Sequence, residues 1–165
     1  MKALGVVLGF VIAGVAATAH ADCAAPPAVK AYLAQHPGWT VFDEAALSLD
    51  DRKLWSELHA GQCPGLASAD LTGSGKTAYA VAVTTAGKDG MWQVVLIGDR
   101  SVRTLRAPSR SQTVVWATPP GELVEVQTAR RVTAKHPAFV LAALESSAEA
   151  FYHADGKLQS LWISD

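Results

Sequence analysis

Residues 77 to 83, TAYAVAV, alternate strictly, with Tyr79, Val81 and Val83 on one side and Ala78, Ala80 and Ala82 on the other. A period of two is that of a strand, whose side chains point alternately to opposite faces. AGKDG then marks a turn and MWQVVLIG a second strand, so the two read as a hairpin with a longer loop. Further short strands are expected at residues 101 to 106, 113 to 118 and 122 to 127, separated by turn-forming prolines and glycine. FVLAALE and AEAFYH follow. Asp155-Gly156 then turns the chain into LQSLWISD, and Asp-Gly between apolar runs is a strong hairpin signal.

The period is different before residue 63. Pro27 followed by AVKAYLAQ reads as a helix stopped by His36-Pro37-Gly38, since proline suits the first helical turn. Ser48 with Asp51 three residues on resembles a capping box. It predicts a second helix over residues 49 to 59, with Leu49, Trp55 and Leu58 as its apolar face. Two helices followed by about six to seven short strands predict an α+β fold, with both helices packed on one face of an antiparallel β-meander. The alanine row at 78 to 82 is the place where a helix is expected to come close.

The start of the chain, MKALGVVLGFVIAGVAATAHADC, has one lysine, a short apolar core and Ala19-His20-Ala21, a small-x-small cleavage signal. Residues 1 to 21 therefore read as a secretory signal peptide, leaving residues 22 to 165 as a single domain without a membrane span. Losing Lys2 leaves thirteen basic residues against fifteen acidic, a balance that argues against general nucleic-acid binding. The location expected is the periplasm or the exterior. Cys23 and Cys63 are the two cysteines of the chain, and in an oxidising compartment they are expected to form a structural disulfide.

Residues 73 to 77, GSGKT, suggest a phosphate-binding loop. The motif G-x-x-x-x-G-K-[ST] needs glycine where this chain has Asp70, and it must open a helix, whereas here a strand follows. The run therefore reads as a turn. The segment Asp70 to Val81 resembles the loop and strand of FG-GAP or VCBS-type secreted proteins. With Cys63-Pro64-Gly65 and Trp162 to Asp165, it also looks like small bacterial exported proteins that carry one degenerate segment of this kind. In the calcium-binding forms, oxygens at alternate loop positions surround the ion. The matching positions here are Asp70, Thr72, Ser74 and Ala78, of which only Asp70 is a carboxylate, so calcium is expected to bind weakly or not at all. No cofactor or metal is expected.

Glu149 and His153 share a strand face with Phe151 by period two, and such a pair has the chemistry for acid–base work. They are the weak catalytic candidates; no G-x-S-x-G elbow accompanies them. Residues 100 to 135 hold seven basic side chains against Glu122 and Glu125. Arg103, Arg130 and Arg131 are expected to form a basic patch for an anionic protein or cell-envelope polymer, and Asp70 is a further binding candidate. The function expected is an exported binding protein without enzyme activity. The alternatives are an inhibitor of a secreted or host enzyme (lysozyme-inhibitor-like, presenting loop 70 to 76) and a hydrolase using Glu149 and His153.

Overall fold

The computed structural model describes residues 23–85, 90–144 and 146–164. Residues 1 to 21, expected from the sequence to be a signal peptide, lie outside the described residues. In chain order the elements are α1 (Pro27–Gln35), β1 (Trp39–Val41), a 3-10 turn (Glu44–Ala46), α2 (Leu49–Leu58), β2 (Leu66–Ala69), β3 (Ala78–Thr85) and β4 (Trp92–Ile97). They continue with β5 (Val102–Ser109), β6 (Val114–Thr118), β7 (Gly121–Val124), β8 (Arg131–Ala134), β9 (Ala138–Ala143), β10 (Ser147–Ala154) and β11 (Lys157–Ser164).

The two helices form where capping chemistry places them. Pro27 opens α1, and at its end His36 donates from Nδ1 to the Tyr32 carbonyl at 2.8 Å and stacks on the Tyr32 ring at 4.1 Å. At α2 the Ser48 hydroxyl accepts the Asp51 N–H at 3.1 Å and donates to the Asp51 carboxylate at 2.8 Å. Only Trp55 of the expected apolar face is buried; Leu49 and Leu58 are 80% and 65% exposed.

The strands build three antiparallel sheets, and the protein is mostly β. The first sheet runs β1-β3-β4-β5, with β2 sharing the β1 side of β3. The handover falls at Ala82, whose carbonyl accepts the Phe42 N–H while its own N–H donates to the Gly65 carbonyl, both at 2.9 Å. Only glycine fits at 65, because a Cβ there would stand 2.0 Å from the Phe42 carbonyl oxygen. The second sheet runs β11-β10-β9-β6, and β7 with β8 forms a two-stranded ribbon. Asp155 and Gly156, with φ of 52° and 74°, make the β10–β11 turn that Asp-Gly favours.

Register shows which faces meet. Ala80 and Ala82 pair with Leu96 and Val94; Ala80, Ala82 and Val94 belong to the cluster that also holds Phe139, Leu141 and Phe151 of the second sheet, and Leu96 packs against it. Arg106 of β5 reaches Glu149 of β10 at 4.0 Å, so the Glu149–Phe151–His153 face of β10 looks toward the first sheet. The opposite face of β3 and β4, with Val81, Val83, Val95 and Ile97, packs on Val29 and Tyr32 of α1.

This overturns the α+β fold of two helices on a single meander. A second sheet, not a helix, occupies the alanine side, because side chains of one carbon let two sheets approach and interlock. The helices do not share a face either. α1 lies on the valine side of the first sheet, while α2 sends Trp55 to Trp116 of β6 in the second sheet, ring centroids 6.3 Å apart. Strands of three or four residues, β1, β2, β7 and β8, are too short to show a clear period of two.

Cys23 and Cys63 form a disulfide with Cα atoms 5.2 Å apart, tying the chain before α1 to the loop before β2. Among the described residues no helix is long and apolar enough to cross a membrane.

Candidate functional site

An α-helix is about 10 Å across and neighbouring strands lie about 4.8 Å apart, so one helix covers about two strands. α1 covers β3 and β4 and leaves β5 bare. The space beside it is a groove of about 550 Å³. Val95 and Ile97 of β4 form an apolar floor, Ala28, Ala31 and Gln35 of α1 form one wall, and Val102 and Thr104 of β5 form the other. Tyr32 and His36, stacked on each other, stand at the helix side, and burial pushes the Tyr32 phenol above its ordinary pKa, so it stays neutral. Asp99 and Arg100 lie at the hairpin end. An apolar floor with a few amides and hydroxyls around it is the usual make-up of a ligand site.

Loop 70–77 is organised by its own aspartate. Asp70 Oδ1 accepts the N–H groups of Thr72 and Ser74 at 3.1 and 3.2 Å and the Thr72 hydroxyl at 3.2 Å, while Oδ2 accepts the Gly75 N–H. Desolvation works to raise the Asp70 pKa, but the Gly75, Thr72 and Ser74 N–H groups and the Thr72 hydroxyl outweigh it and hold the carboxyl below its ordinary value. The backbone N–H groups that would wrap a phosphate in a nucleotide-binding loop wrap this side chain instead. The same bonds occupy both oxygens of the one carboxylate among the calcium-loop positions. Gly73, at φ 69°, lies against the His136 ring, where a Cβ would come within 2.3 Å. Lys76 pairs with Asp99 at 2.7 Å, fastening the loop to the β4–β5 hairpin.

Glu149 and His153 share a face as alternation requires, but their surroundings differ. Glu149 is half-buried beside Arg106, whereas His153 lines a smaller cavity of about 230 Å³ with Leu158, Ser101 and the Thr72–Lys76 side of the loop. Glu149 does not line that cavity. Among the described residues no group of three His, Cys, Asp or Glu side chains is placed to hold a metal ion.

The three arginines of the expected patch are not alike. Arg131 pairs with Glu122 across the β7–β8 ribbon, and Arg130 meets Glu125 at 3.4 Å. Arg103 stands exposed on β5, in the first sheet, and among the described residues it makes no ion pair. The groove itself was missed in the sequence. Its one signal is Ala28 and Ala31, small residues on the α1 flank that leaves space beside it. Nothing matches this chain among protein-family models, characterised proteins or solved structures.

Proposed function

We propose that this protein is an exported binding domain that holds an anionic partner and performs no reaction on it. The groove between α1 and β5 carries the reading, since it joins an apolar floor to a few amide and hydroxyl groups beside the exposed Arg100. Export is supported by the leader-like residues 1 to 21 and by the Cys23–Cys63 disulfide, a bond that persists in oxidising compartments. The test is capture of a partner from envelope extract by the native protein and by Ala31→Trp, whose indole fills the groove from an exposed helix position. A partner held by the native protein and lost by the variant supports the reading; equal capture by both overturns it.

A second reading, inhibition of a secreted enzyme by the loop at 70–76, is favoured by one observation. Residues 72 to 76 of the loop are exposed yet held by the Asp70 bonds, and preorganisation of that kind raises affinity. Its test is inhibition of secreted hydrolases, lysozyme first, by native protein and by Asp70→Ala. Equal inhibition by the two would remove the loop from consideration.

A further inference from the structure

The groove has an open side. β5 ends the first sheet, and among the described residues no strand pairs with its outer edge. The hairpin before it determines which backbone groups are spare. Gly98 donates to the Ser101 carbonyl at 2.8 Å, so these two residues form a hydrogen-bonded pair. Such pairs alternate along an antiparallel ladder. Arg103, opposite Leu96, is therefore also bonded to β4, while Val102 and Thr104, opposite Ile97 and Val95, turn their N–H and C=O groups outward. These same two residues line the groove, and Val102 is 55% exposed. Beyond Thr104 the register shifts and Pro108 follows, which confines the usable edge to the groove end of β5.

A free edge whose outward-facing residues border a cavity beside a helix suits an added strand: main-chain bonds supply affinity and the cavity takes alternate side chains. Charge selects the occupant. The Arg100 side chain is 92% exposed and among the described residues its one ion pair is with Asp99, at 3.9 Å, and Asp99 is already held by Lys76 at 2.7 Å. Arg103 and Arg110 make no ion pair among the described residues. A second copy adding its own β5 would bring arginines together across the new pair, and like charges opposite each other destabilise a sheet.

We propose that an extended acidic segment of a partner protein adds as a strand to β5 at Val102–Thr104, with its apolar side chains in the groove and its carboxylates toward Arg100 and Arg103. This rests on the binding reading above and names its ligand class.

The probe is a capped six-residue peptide alternating glutamate and valine, titrated by calorimetry and followed through the backbone amide signals of Val102 and Thr104. Two further peptides carry N-methyl groups on the odd or on the even residues, and a third replaces glutamate by lysine. Strand addition uses every second amide of the ligand. One methylated register should therefore lose at least about tenfold in affinity and the other much less. Arg103→Glu should weaken binding by a similar factor, with an unchanged melting temperature showing that the variant folds, and the lysine peptide should not bind.

Equal binding by both methylated peptides overturns the proposal. So does an acidic peptide that fails to bind while envelope capture still depends on Ala31, an outcome that leaves the binding reading standing. Capture indifferent to Ala31→Trp sinks the binding reading itself. Concentration-dependent dimers abolished by Arg103→Glu would make a second copy the occupant, against the proposal.

Discussion

The two faces of the first sheet invert what their side chains suggest. One face carries the small residues Ala78, Ala80 and Ala82, and Ala80 and Ala82 are fully buried beneath the second sheet. The other carries Tyr79, Val81 and Val83, larger and more hydrophobic, yet part of that face borders an open groove. What covers a face decides how completely it is sealed. A sheet of four strands can match a sheet of five, whereas a nine-residue helix covers two strands and stops. The arginines follow the same division. Those at the β7–β8 ribbon, Arg130 and Arg131, meet carboxylates, and among the described residues Arg103 at the open edge meets none.

The comparison breaks most directly at Phe139, which is fully buried on the second sheet's side of the sealed interface. Phe139→Ala should cost about 3–5 kcal/mol in urea unfolding, the usual price of an uncollapsed aromatic cavity. A loss under about 1 kcal/mol would mean that this face is not tightly packed. Next comes the disulfide, which closes a loop of sequence separation 40 and anchors the chain just before α1. Replacing both cysteines by serine should lower stability by about 2–4 kcal/mol. Because the bond fastens the helix side, exchange of amides in α1 should rise more than exchange in β9. Equal acceleration in both would show that α1 is not separately anchored. On the open face, Ala31→Trp should change stability by no more than about 0.5 kcal/mol, since the groove has room for an indole. A larger loss would mean that the groove is narrower than it looks.

Local chemistry was legible in the sequence and the layering was not. Pro27, Ser48 with Asp51, and Asp155-Gly156 each act on neighbours a few residues away, so they announce α1, α2 and the β10–β11 turn directly. The disulfide was equally readable, because two cysteines have one pairing. The partner of the alanine row lies instead in β9 and β10, some sixty residues later, and alternation says only that a face is buried, not by what. Leu49 and Leu58 misled for the same reason: they satisfy a helical pattern, but the second sheet meets α2 only along the Trp55 side. For the candidate site, Arg103 was found by charge, whereas its difference from Arg130 and Arg131 depends on Glu122 and Glu125 being across or along the ribbon. The groove is a space between elements, and no residue run encodes it.

The smallest expected effect lies at the α2 flank and concerns protonation. His59 follows α2, and its ring packs against both Trp55 at 4.4 Å and Trp116 at 4.7 Å. Burial lowers its pKa below the ordinary value, although indole faces favour an imidazolium and work the other way. The unfolded chain therefore binds a proton at this position more readily than the folded one. Wherever the unfolded state holds more protons, stability rises with pH. The contribution of neutral His59 is thus fully present above its unfolded pKa of about 6.5 and is lost as pH falls through that value toward the folded one. Proton signals of the His59 ring should give a midpoint below the ordinary histidine value. Between pH 7 and pH 5 the native protein should lose a small part of its stability, and His59→Phe, which keeps a ring against the two indoles, should lose less. An unchanged slope in that variant would assign the pH dependence to other groups and leave His59 as a packing residue alone.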